Sequence, residues 1–555
     1  MEINNKYLLK VLSSILLGIL ICNFSVAQIN TPNLNNVNLG EIHGNIQLDA
    51  QYYIPDSTIG APNVPEKMLS NGFANLIYTR GKFTAGVRYE SYLNALQGFD
   101  SRYFGNGIEY RFADYKSDQL EITIGNFYQM FGSGLILRSY EERGLGFDNA
   151  LDGFRIKYEP CKGIYLTGLT GKQRSFMTEG PGLVRGFDGE IQLNETFAKL
   201  ADKKMKVMLG GSFVSRYQAA DNPALVQPLN VGASAGRFQI SRNNFNLNGE
   251  YATKINDPTV ANNNIYRPGD GELLQANYSV KGFAVSLGAE RADNMNFRSD
   301  RNATINNLLL NYTPALNMNH TYSLLTFYPY ASQPNGEFQM SSEVNWKAVK
   351  KPDYKLDITV NYSGANDLDT THYNSSDDLT RQGYKTNSIF IGKTVIFRDF
   401  YAEINQKFGK KTKLSLIYSY QVYNKEVIQE PGTPNTIYSH IVVADLSYKL
   451  QGEKSVRIEL QNFSTKQDKQ DWAQALVEYT FNTHWFAAAL DQYNYGNNVV
   501  SERYHYYNGT VGYIKGASRI TLGYGKQRSG IFCVGGICRQ VPASNGITLS
   551  VTTSF

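Results

Sequence analysis

Residues able to serve as nucleophile, base or metal ligand are thinly spread along this sequence. The six histidines, His43, His320, His372, His440, His484 and His505, fall on separate segments. None is followed two residues later by serine, the spacing a barrel phospholipase would use for its base and nucleophile. No HExxH pair or phosphate-binding loop occurs. Asp367, Asp369, Asp377 and Asp378 could offer oxygen ligands to Ca²⁺, yet they lack the spacing of a calcium loop and read as a solvated acidic connection. No catalytic role, no cofactor and no metal site is expected.

Two other groupings carry chemistry. Cys533 and Cys538 enclose CVGGIC, where Gly535 and Gly536 permit a tight reversal, so a disulfide is expected there, with Cys161 left as a spare thiol in EPCKG. The second grouping is the segment Gly125 to Gly153, GNFYQMFGSGLILRSYEERGLGFDNALDG. It joins Arg138, Glu141, Glu142, Arg143 and Asp148 to an apolar run, Met130, Phe131, Leu135, Ile136 and Leu137, that is out of place in an aqueous loop. Such a segment avoids water by folding inward between about residues 129 and 150, where arginine–carboxylate pairs would form a constriction or plug. The plainer alternative is a salt-bridged extension of a wall.

The elements that would position these groups are strands. With 42% hydrophobic residues, 13% aromatic residues and a mean hydropathy of −0.37, the chain is too polar for a bundle of membrane helices and too aromatic for disorder. A net charge of +5 spread along the whole length leaves no block of the kind that binds nucleic acid. Residues 1–27 have the form of an export signal: Lys6 and Lys10, an apolar run to Ile21, then Ser25-Val26-Ala27. Residues 28–40 read as a short polar lead-in. From 41 to 555 the sequence alternates with period two, as in KSVRIELQN, where Val456, Ile458 and Leu460 oppose Arg457, Glu459 and Gln461.

Connection lengths separate a membrane barrel from a soluble sandwich. Short turns such as TRGK, EPCKG, SVKG, KKPD and GKKTK alternate with long loops, the pattern of outer-membrane barrels. Asn194 to Lys204 is long for a turn, and SQPNG from Ser332 is short for a loop. The count favours a transmembrane antiparallel β-barrel of 26 strands, within a range of 22 to 28, with 386–408 taken as one long or bulged strand. The last segment, GITLSVTTSF, is an amphipathic strand ending on Phe555, which looks like the recognition signal of the barrel-insertion machinery. The short turns lean basic, through residues such as Lys350, Lys351, Lys410 and Lys411, and would face anionic headgroups or a periplasmic partner.

The pattern GNFYxxFGSGLILRxYEERxLGxDN resembles a family of large, uncharacterised outer-membrane β-barrels of Bacteroidetes-type Gram-negative bacteria, across the whole mature chain. The resemblance implies residence in the outer membrane and lends no activity. Together these readings favour a porin-like channel or transport protein, non-enzymatic, in contact with outer-membrane lipids. Large barrels of such bacteria also serve in assembly and secretion machines, so a subunit of an envelope protein complex is the alternative.

Overall fold

Alternation of apolar and polar residues produces strands with two unlike faces, and closing them into a cylinder is the one arrangement that leaves no unpaired edge in lipid. In the computed structural model, which describes residues 39–372, 383–429, 432, 435–534 and 537–555, 24 antiparallel strands form one sheet. The first strand, Glu41–Tyr53, pairs with both Met68–Arg80 and the last strand, Ser544–Ser554, so the sheet closes on itself. Strands about 4.8 Å apart and tilted about 40° give a cylinder roughly 48 Å across. Side chains of the wall alone cannot fill that width. The export signal and most of the polar lead-in lie outside the described residues.

The faces are inverted relative to a soluble protein. In the strand Ser455–Thr465, Ile458 and Leu460 are exposed while Glu459 and Gln461 are buried. Leu522, Tyr524 and Ile547 likewise point outward and are exposed. An apolar exterior around a polar interior is the arrangement of a transmembrane barrel. Aromatic pairs mark the short-turn end of the outer surface, among them Phe83–Tyr115 with ring centroids 5.1 Å apart and Trp485–Tyr513 at 4.8 Å.

The observed 24 strands are one hairpin fewer than the 26 favoured by alternation, and the surplus falls on 294–335. There the chain leaves the wall after Phe283–Asp293 and returns only at Gly336–Lys351. This stretch is rich in Leu, Tyr and Phe because it packs inside the barrel, and its apolar residues therefore mimic the outward face of strands. The segment 386–408 lies within one strand, Tyr384–Phe408, whose register against Tyr354–His372 slips at several points. The connection after Lys172 is short where alternation calls for a long loop: Ile164–Ser175 and Thr178–Gln192 join through Phe176 and Met177, with Phe176 at a positive φ of 57°. Asn194 to Lys204 folds into two short helical turns, Leu193–Thr196 and Ala198–Leu200.

Candidate functional site

Two inward segments, 128–150 and 294–335, occupy the lumen at the long-loop end. In the first, Phe131 is 1% exposed and Leu135, Ile136 and Leu137 are 0% exposed. They pack with Met295, Phe297 and Leu310 of the second segment against Val184, Val214, Val231 and Ala252 of the wall. The full burial of each such side chain contributes about 1.5 to 3 kcal/mol. The backbones of the segments also bond to each other: Arg138 N donates to Leu310 O at 2.7 Å and Tyr312 N to Gly134 O at 2.9 Å. Asn149 fastens the seam, its Nδ2 donating to Leu309 O at 2.9 Å. Gly132, at φ 53°, approaches the wall so closely that a Cβ would lie 2.4 Å from the Glu250 carboxylate, which accepts from Ser133 N at 2.7 Å.

The rest of the second segment crosses to the opposite wall. Leu324, Leu325, Tyr328 and Tyr330 enter a core with Phe397, Ile417, Ile437, Ile441, Val443 and Phe463. The inner face of the wall here sets large apolar residues among polar ones such as Ser419 and Ser439, which is unusual for a barrel lumen. Polar contacts fix the register: Gln461 Oε1 accepts from Leu324 N at 2.9 Å, Gln421 Nε2 donates to Leu325 O at 3.2 Å, and His320 Nε2 lies 2.6 Å from Asp399 Oδ2. Arg528 stacks 4.0 Å from the Phe327 ring, and burial pushes its guanidinium down to about 10, so it remains charged at neutral pH.

The plug is confined to one half of the barrel. Along Thr436–Lys449 the inward residues Ile437, Ser439, Ile441 and Val443 are buried, Asp445 and Ser447 are partly open, and Lys449 is exposed. The other half forms a vestibule toward the short turns, with a cavity of about 330 Å³ lined by residues including Glu478, Thr480, Phe486 and Arg519.

An ionic knot joins the first segment to the wall. Arg88 Nε meets Glu90 Oε1 at 2.7 Å, its Nη1 lies 2.9 Å from Glu141, and its Nη2 donates to Asp148. Arg174 reaches Glu90 at 2.7 Å and Asp148 at 2.8 Å, and Arg143 closes on Glu141 at 2.5 Å. Tyr92 and Tyr128 donate to Glu90 and Asp148. Three arginines thus balance three carboxylates, with Arg88 at 3% and Glu90 at 1% exposure in the interior of the knot and Arg143 and Glu141 partly open at its edge.

Of the residues singled out by sequence, Glu141, Arg143 and Asp148 come together. Glu142 caps a turn by accepting from Gly144 N at 3.3 Å. Arg138 lies apart from them, its guanidinium 3.9 Å from the rings of both Tyr140 and Tyr312. The wall half of the knot, Arg88, Glu90 and Arg174, escaped sequence reading. Its only signal was a pair of opposite charges two residues apart on one strand face. Cys533 and Cys538 are backbone partners in the hairpin of Gly530–Val534 and Ile537–Val541, while their side chains lie outside the described residues. Cys161 is free and exposed. Phe555 exchanges backbone bonds with Gly44 at 2.9 and 3.0 Å, its ring lying where a Gly44 side chain would stand. Asp367 Oδ1 accepts from Thr394 N at 2.9 Å, whereas Asp377 and Asp378 lie outside the described residues. GASAG, residues 232–236, has nucleophile-elbow spacing that a histidine-centred reading passes over. It lies within the strand Asn230–Arg242 with Ser234 facing outward, and no strand-to-helix turn presents that hydroxyl.

Fold and site together define a closed transmembrane β-barrel whose lumen is filled at one end by its own connections. The chain belongs to the family of unknown function DUF6029, whose model matches residues 10–555. No curated protein matches it. Similar solved structures include the siderophore receptor PirA of Pseudomonas aeruginosa, 10% identical with a TM-score of 0.39 over 94% of this chain and 82% of that one. Acinetobacter baumannii OccAB3 is 8% identical with a TM-score of 0.34, over 94% and 100% of the two chains. The FrpB iron transporter of Neisseria meningitidis is 10% identical with a TM-score of 0.36, over 92% and 82%.

Proposed function

We propose that this is an exported, outer-membrane transport barrel, closed at rest by its own plug and opened when that plug shifts, with no catalytic chemistry of its own. The observation that carries this reading is the complete burial of inward wall residues such as Val214, Ala252, Ile437, Ile441 and Phe463 beneath segments 128–150 and 294–335. A second reading, a non-catalytic subunit of an envelope complex whose lumen stays sealed, draws support from the large apolar residues on the inner wall. A plug held like a protein core resists displacement more than one held by polar contacts. The Phe555 strand as insertion signal and the Cys533–Cys538 bridge belong to both readings.

Purification in mild detergent followed by bilayer recording separates them. A transport barrel is expected to arrive without stoichiometric partners, and to be silent at rest with openings under voltage or mild urea. Stoichiometric partners around a lumen that never opens would overturn the transport reading.

A further inference from the structure

Charge is distributed unevenly between the two ends of the barrel. At the short-turn end the hairpins carry Lys82, Lys162, Lys281, Lys350, Lys410 and Lys454, all exposed, and many flanking positions are Lys or Arg as well, so that these outnumber the acidic residues there, such as Asp118, Glu159, Asp202, Asp353 and Glu453. Because the whole chain has a net charge of only +5, the remainder is negative in balance. The long connections, by contrast, mix the signs, as in Arg298, Asp300 and Arg301.

The position of these cations decides what they meet. They follow directly on the aromatic girdle: Lys82 precedes Phe83 of the Phe83–Tyr115 pair, and Lys350 and Lys351 come just before Tyr354, whose ring lies 6.0 Å from Phe408. Girdle aromatics sit at headgroup level, so the next residues outward lie among the headgroups. The cations also recur on hairpins around most of the circumference. A protein partner would use a patch on one side, whereas a ring at this depth matches a lipid leaflet. We propose that the short-turn end forms a basic collar that selects anionic phospholipid headgroups in the leaflet it faces. This rests on the membrane-barrel reading above. Each cation in headgroup contact favours anionic over zwitterionic lipid about five-fold.

The test uses the full mature protein in vesicles of phosphatidylcholine with phosphatidylglycerol, and native mass spectrometry of the lipid retained. The wild type is expected to retain phosphatidylglycerol in excess of its vesicle fraction. K82Q/K162Q/K281Q/K350Q/K410Q/K454Q, with one change on each of six hairpins, should lose most of that excess, whereas K466Q/K469Q at the opposite end should keep it. Insertion with no preference for phosphatidylglycerol at low salt, or equal losses in both variants, would overturn the collar. Failure to enter the vesicles at all would instead tell against the membrane reading itself.

Discussion

Removing residues 315–331 is expected to turn a silent barrel into a steadily conducting one in planar bilayers. The deletion is well placed, because its new ends, Pro314 and Ser332, lie close: Thr313 Oγ1, one residue before the first, is 3.0 Å from Ser332 Oγ, and Ser332 Oγ donates to Thr313 O at 2.9 Å. It withdraws Leu324, Leu325, Tyr328 and Tyr330 from the wall and exposes Ile437, Ile441 and Phe463 to water. Uncovering each large apolar side chain costs about 1.5 to 3 kcal/mol, a heavy loss that nevertheless leaves every strand-to-strand backbone hydrogen bond of the wall in place. The barrel should therefore assemble, melt at lower temperature and conduct. A correctly inserted deletion variant as silent as the wild type would show that 128–150 closes the lumen unaided.

The second large effect belongs to the ionic knot. Glu90→Gln removes one of the two carboxylates that Arg88 and Arg174 share, and Asp148→Asn removes the other, so either change leaves more buried guanidinium than carboxylate charge. Stranding a buried charge costs about 3 to 5 kcal/mol, far more than breaking a surface pair. Replacing Glu90 and Arg174 together by apolar residues of similar size should cost less than the sum of the single changes, since no charge is stranded in that pair. Thermal unfolding of the four forms in detergent measures this. Single-variant losses under about 1 kcal/mol would place the knot in a solvated setting.

The barrel was legible because its determinants are local. Period-two alternation, the basic short turns and the amphipathic final strand are written in consecutive residues, and the inward drive of Leu135 to Leu137 follows from their misfit with water. What sequence could not show depends on partners distant in the chain. Leu324 and Tyr328 look like strand residues because lipid and a protein core reward the same apolar side chains. Only the pairing of Phe283–Asp293 with Gly336–Lys351 reveals that the wall bypasses them. Arg174 looks like any strand arginine until Glu90, 84 residues away, is beside it. Arg138 was expected to pair with carboxylates, and the rings of Tyr140 and Tyr312, the second from a distant segment, flank its guanidinium.

The closed half of the lumen is tested most directly by labelling single cysteines in a variant whose Cys161, Cys533 and Cys538 are replaced by serine. Thr480→Cys lines the open vestibule, whereas Ser419→Cys lies beneath the plug at 0% exposure. A membrane-impermeant maleimide is expected to label Thr480→Cys only when added from the short-turn side, and to spare Ser419→Cys from both sides. Labelling of Thr480→Cys from the long-loop side of an intact membrane would mean that the lumen is open and that the two inward segments do not close it.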